Sequence, residues 1–207
     1  MQETKNISHY RKALHDKIME TAMKLFATKG IKAVRMDAIA GELNISKRTL
    51  YEIYDNKETL LYEGVKRYKV YQEQELQRLL CDCQNVMDIM LKIYYVKVDE
   101  FKRTCPQFYS DLQKFPRVVE LLQADREVQY LRAMQFMQRG VKEGYFRRDI
   151  DLELVAKLFE AVVQFVVSNK VYKDYSIEQI FRNILFVSLR GICTRKGIDV
   201  LDAFPEP

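Results

Sequence analysis

Residues 36–55 read MDAIAGELNISKRTLYEIYD. Ile39, Leu43, Ile45, Leu50 and Ile53 are apolar, and Ala40 is small where two helices would cross closely. Two short helices share a core only when their facing residues fall at such offsets. Met36, Ile39, Ala40 and Leu43 make the face of a first helix. Asn44 takes the turn, where a short amide side chain tolerates the left-handed conformation. Ser46 is an N-cap residue for a second helix running from Lys47 to about Ile53. This is the spacing of a helix-turn-helix, whose second helix enters the major groove of DNA.

The face left free by that packing carries Lys47, Arg48 and Thr49 at the start of the second helix. An arginine there can bond bidentately to guanine, and a threonine offers a hydroxyl or a methyl group. Tyr51, Tyr54 and Lys57 follow at positions suited to phosphate contacts, which fix register without reading sequence, and Ser46 is counted among the DNA-binding residues. Lys57 also opens a helix, so its ammonium and the first backbone N–H groups can hold one phosphate together.

Outward from this window the chain reads as helix throughout. Leu14, Ile18, Ala22, Leu25 and Phe26 recur at helical spacing between His9 and Lys29, and Gly30 follows as a stop. A long helix is expected from Lys57 to about Leu80, then others at 85–102, 106–113, 117–143, 151–171 and 177–195. Pro106 and Pro116 fall near helix starts, where a missing N–H does little harm. Asp149 or Asp151 caps the helix beginning near 151. Gly and Pro together number 11 in 207 residues, about half the usual share of roughly 12%. So few turn-makers exclude a sheet built on tight hairpins, and the expected class is all-α.

The charge is uneven. Residues 1–57 carry eleven Lys and Arg against seven Asp and Glu, a net +4, while residues 58–207 carry 23 against 22. A basic module on a neutral body points to a polyanion as partner of the module alone. No run of 18 apolar residues exists, so no membrane span is expected. The polar N-terminus has no signal core, which makes the cytoplasm the expected location. The thiols of Cys81 and Cys83, two residues apart on a helix, would point about 200° apart and cannot share a metal. Both histidines, His9 and His15, lie near the N-terminus, which excludes a histidine-based triad in the remaining helices. No catalytic residue, metal ligand or cofactor is expected.

The stretch from Gly30 to Ala40, then Leu43-Asn44-Ile45-Ser46-Lys47-Arg48-Thr49-Leu50-Tyr51 and Tyr54-Asp55-Asn56-Lys57-Glu58-Thr59-Leu60, resembles the DNA-binding domain of the TetR family of transcriptional regulators. The resemblance covers about residues 9–65. The segment from Gly140 to Asp149 is similar to the family's connection into its dimerisation helices. Two positions depart from the pattern. The family usually caps the second helix with Ser or Thr that touches phosphate; here Val34 and Arg35 stand there, and Arg35 is taken as a longer-reaching phosphate clamp. Tyr54 replaces the usual Phe, with Ile53 before it.

The resemblance implies a three-helix DNA-binding domain over residues 1–56 and a helical effector-binding and dimerisation domain over 57–207. Its middle helices would enclose a small-molecule effector, and its last two long helices would pair two copies of the chain. The second point also has support in the residues themselves. Leu158, Phe159, Val162, Phe165 and Val166 leave the 151–171 helix apolar almost all round, and Phe181, Ile184, Leu185 and Ile192 do the same for the next, with Ser188 permitting close approach. A helix apolar on every side must be covered on every side. Tyr94, Tyr95, Phe101, Phe108, Tyr109, Tyr130, Met134 and Met137 are the candidates for an apolar, adaptable effector cavity. The reading is a ligand-responsive transcriptional regulator, a repressor released from a palindromic double-stranded operator by a small apolar or aromatic effector. The alternative is a dimeric helical sensor or adaptor that does not control transcription.

Overall fold

The computed structural model describes residues 2–124 and 126–203. The helices are α1 (Gln2–Lys29), α2 (Met36–Glu42), α3 (Lys47–Tyr51), α4 (Lys57–Cys81), α5 (Val86–Lys102), α6 (Pro106–Leu112), α7 (Pro116–Gln123), α8 (Arg126–Lys142), α9 (Leu152–Ser168), α10 (Ile177–Ile180), α11 (Phe186–Ile192) and α12 (Arg195–Asp202). A π-helical turn, Phe181–Leu185, joins α10 to α11. No strand occurs among the described residues, and no helix among them is long and apolar enough to cross a membrane.

The described residues form two compact units. One holds the residues up to Glu73 together with Arg103–Ala124; the other holds Gln74–Lys102 and the residues from Arg126 onward. The first unit closes over Ile18, Ala22, Phe26, Ile39, Leu50 and Leu60, and Leu112 and Val118 complete the same core. Thus α6 and α7 are built into the unit that carries the helix-turn-helix. The second unit is centred on Val86, Met87, Phe146, Leu189, Ile192 and Cys193.

Local signals place the ends of these helices. Gly30 terminates α1 at φ +84°, and a Cβ there would come within 2.9 Å of the Gln107 side chain. Asn44 has φ 53°, the left-handed turn its residue type allows. The Asp151 carboxylate accepts from the N–H groups of Glu153 and Leu154 and caps α9. Asp149 instead pairs with Arg147.

Three expectations are corrected. The single helix expected over 117–143 is two helices, because Val118 and Leu121 pack into the first core while Phe136 and Val141 pack into the second. The helix expected over 177–195 is interrupted by the π turn and ends at Ile192. Finally, α12 was not foreseen, although its signals are local: Thr194 caps it by accepting from the Gly197 N–H at 3.3 Å, and Ile198 and Leu201 pack into the second core.

Gly140 is held to its identity by contact, since a Cβ there would overlap the buried Phe146 ring. Gly140→Ala is therefore expected to destabilise the protein by about 1–3 kcal/mol through overpacking. Thermal denaturation followed by circular dichroism measures it, and an unchanged midpoint would contradict the close contact.

Candidate functional site

The turn between α2 and α3 is tied by the Asn44 N–H donating to Gly41 O at 3.1 Å and the Ile45 N–H to Ala40 O at 3.0 Å. Ser46 caps α3: its Oγ accepts from the Thr49 N–H at 3.0 Å and lies 2.8 Å from Thr49 Oγ1. Leu50 is fully buried beneath α3, which turns Lys47, Arg48 and Tyr51 outward. The Lys47 ammonium pairs with the Asp37 carboxylate of α2. Arg48 Nε donates to Glu52 Oε1 at 2.8 Å, one turn further on. Arg35 precedes α2 in extended conformation, its side chain exposed and making no cap hydrogen bond.

Tyr54 does not share this face. Its side chain lies in the first core, only 2% exposed, with its ring stacked on His15 at a centroid distance of 4.8 Å. Its hydroxyl is 3.4 Å from His15 Nδ1, and burial, aided by Glu63 and Asp16, pushes its pKa up. The phosphate role expected for Tyr54 is corrected to a packing role.

Lys57 is also committed inward. Its ammonium donates to the carbonyls of Ile31 at 2.9 Å and Val34 at 3.0 Å. Burial lowers its pKa, partly offset by the nearby Asp111 carboxylate. The connector from α1 to α2 is therefore held at its carbonyls by the first residue of α4.

Asp111, which sequence reading passed over, holds the same connector at an N–H. Its side chain is wholly buried; Oδ2 accepts from the Lys32 N–H at 2.8 Å, and Oδ1 from Gln107 Nε2 and Lys114 Nζ, both at 3.0 Å. The Cys105 N–H donates to Ala27 O at 2.7 Å, fixing the start of α6 on α1. Burial alone would raise the Asp111 pKa, but these hydrogen bonds outweigh it and hold the carboxyl below its usual range. A depressed folded-state pKa adds stability that is complete above the unfolded value of about 4 and is lost as pH falls through the depressed one. The stability gap between the parent and Asp111→Asn, measured by urea unfolding, is therefore expected to narrow between pH 7 and pH 3.

The second unit contains a cavity of about 1140 Å³, slightly larger than the roughly 300–1,000 Å³ usual for small-molecule sites. Of the eight expected lining residues, Tyr130 and Met137 line it. Tyr94 is buried beside it in an aromatic cluster, 5.1 Å from Phe181 and 5.3 Å from Phe186 between ring centroids. Tyr95 is 46% exposed, and Phe101 and Met134 are absent from the lining. Phe108 and Tyr109 belong to α6 in the first unit, where Phe108 packs on the core. The apolar lining comes instead from residues such as Leu80, Ile93, Phe136, Phe159, Phe181 and Phe186. Helical periodicity marks a residue as apolar-facing without saying which interior it meets.

On α9, Leu158 and Phe165 are more than half exposed, while Phe159, Val162 and Val166 are partly covered. Ile184, Leu185, Phe181 and Ser188 are likewise partly covered, the Ser188 hydroxyl donating to Ile184 O at 2.8 Å. Ile192 is buried in the second core and is removed from the expected interface. Leu154 and Val187, each about two-thirds exposed at 66% and 64%, join the exposed apolar set. Cys81 is the exposed last residue of α4 and Cys83 is buried beyond it, so they do not share a helix as expected. No group of three or more His, Cys, Asp or Glu suited to a metal ion exists among the described residues.

Comparison with known proteins agrees with this geometry. Residues 18–63 match the family model described as bacterial regulatory proteins, tetR family. The chain is 24% identical over 190 residues to the HTH-type transcriptional repressor KstR2 of Mycolicibacterium smegmatis, covering 88% of this chain and 92% of that one. Over 53 residues it is 40% identical to the biofilm operon regulator IcaR of Staphylococcus epidermidis, covering 26% and 29% of the two chains. A putative transcriptional regulator from Saccharomonospora viridis, solved in complex with choline, superposes with a TM-score of 0.72 at 19% identity, over 89% of this chain and all (100%) of that one. The fold and site are those of a helix-turn-helix DNA-binding regulator. The module at residues 18–63 is that of the TetR family of transcriptional regulators, and over most of its length the chain has the fold of solved regulators.

Proposed function

We propose that the chain is a cytoplasmic repressor that binds a pseudo-palindromic operator as a homodimer and is released by an apolar or aromatic effector. Two α3 helices would then enter successive major grooves about 34–36 Å apart. Arg48 reads a base edge, with Lys47, Thr49 and Tyr51 beside it. Arg35 and Ser46 meet phosphate, as does the first turn of α4, where Lys57 has one ammonium proton beyond the two its carbonyl partners engage. The effector occupies the cavity of the second unit. The functional division at 56/57 separates roles, since the compact unit carrying the DNA-binding module extends further.

The observation that carries this reading is the exposed basic start of α3 above a fully buried Leu50, with Arg48 89% exposed. The arrangement of α4 supports the coupling: Lys57 at its start grips the connector before α2, and Leu76 and Leu80 near its end line the cavity. By linkage, operator must weaken effector binding by the factor by which effector weakens operator binding.

Selection from random oligonucleotides, followed by mobility shifts, tests the proposal; a population that enriches no sequence overturns it. On the enriched duplex, Arg48→Ala is expected to cost about 1–3 kcal/mol and to relax preference at one base pair. Equal affinity for all variants of that duplex before and after the substitution would remove Arg48 from the contact set.

A further inference from the structure

An arginine on an exposed helix face is a poor reader of bases if its guanidinium wanders, because ordering a long side chain on binding costs rotamer entropy. Arg48 is tethered: its Nε donates to Glu52 Oε1 at 2.8 Å, although the side chain is otherwise 89% exposed. With Nε engaged, the edge formed by Nη1 and Nη2 remains. That edge carries two parallel N–H bonds of the kind that match O6 and N7 of guanine. Glu52 is itself anchored: its backbone N–H donates to the Arg48 carbonyl at 2.9 Å at the end of α3, and its own carbonyl accepts from Arg11 Nη2 of α1 at 3.5 Å. The neighbouring Lys47 shows a second instance, its ammonium held by Asp37.

A carboxylate beside the reading face also repels phosphate, so it opposes binding to any duplex regardless of sequence. As a stabiliser of the fold an exposed ion pair one turn apart on a helix contributes little. Its two effects on DNA are of opposite kind: one lowers affinity for all duplexes, the other sharpens the choice among them. We propose that Glu52 is a positioning residue for base recognition, orienting the Arg48 guanidinium at the expense of overall affinity. The proposal rests on the reading of Arg48 as the base contact.

The test compares Glu52→Ala and Glu52→Gln in the full chain, using the duplex enriched by the parent, its single-pair variants and a random-sequence duplex. Glutamine keeps an oxygen for Arg48 Nε but loses the charge; alanine loses both. Both variants are expected to keep the parent's melting temperature and to bind the random duplex several-fold more tightly. Only Glu52→Ala is expected to lose discrimination, by about 3- to 10-fold, part of what a bidentate pair supplies, and at the base pair where Arg48→Ala loses it. Unchanged discrimination in Glu52→Ala overturns the proposal. So does a loss at a different pair, which would mean that Glu52 reads a base itself. A parent that enriches no duplex fails earlier and overturns the DNA-contact reading along with this one, whereas enrichment with an insensitive Glu52→Ala overturns this one alone.

Discussion

Leu158→Glu combined with Phe165→Glu is expected to leave a folded monomer that binds the enriched operator about 10²–10⁴-fold more weakly, the factor that linking two binding events supplies. Leu154, Leu158 and Phe165 are separated by four and seven residues, which at 100° per residue places them within about 40° of one another on α9. All three are at least half exposed, at 66%, 51% and 54%. Covering side chains of this size stabilises an interface by about 1.5–3 kcal/mol each when burial is complete. Glutamate at two of these positions would place charges inside a self-complementary patch, where each meets its symmetry mate. Sedimentation velocity reads the oligomeric state, circular dichroism the fold and fluorescence anisotropy the operator affinity. A double variant that sediments as a dimer would move the interface to another surface.

The second large effect is expected at Asp111→Ala. It leaves the Lys32 N–H without its buried acceptor and removes two further hydrogen bonds to a charged group. Losing a buried acceptor in this way costs about 2–4 kcal/mol. The damage is local to the connector that sets α2, and through α2 the pitch of α3. Operator affinity should therefore fall further than the population of unfolded protein explains. Hydrogen exchange at the Lys32 amide, compared with amides in the middle of α1, separates the local loosening from global unfolding. An Asp111→Ala protein with parental stability and a protected Lys32 amide would refute the role assigned to this carboxylate.

The same two regions show how far local reading reaches. The α2–turn–α3 window was legible because every signal in it is short-range: apolar spacing, an Asn at the turn, a Ser three residues before the N–H it caps. The cap of α9 at Asp151 was legible for the same reason. Tyr54 was misassigned, and the inward bonds of Lys57 were missed, because a cation or an aromatic at the edge of a DNA-binding motif looks alike whether it faces phosphate or core. Lys57 finds its carbonyls 23 and 26 residues away, and Tyr54 finds His15 at a separation of 39. Asp111 meets Lys32 across 79 residues, with nothing in the intervening sequence to announce it.

The amino-acid order alone settled the helical class, the place of the helix-turn-helix and the basic face of α3, since those depend on periodicities and caps that span one or two turns. Folding in three dimensions decided which interior each apolar stripe enters, and so divided 117–143 between two cores and drew most of the cavity wall from unexpected residues. It also decided which polar side chains are spent inside the protein and which remain for DNA. Burial and hydrogen bonding between distant segments make that choice, and neither is encoded in the spacing of near neighbours.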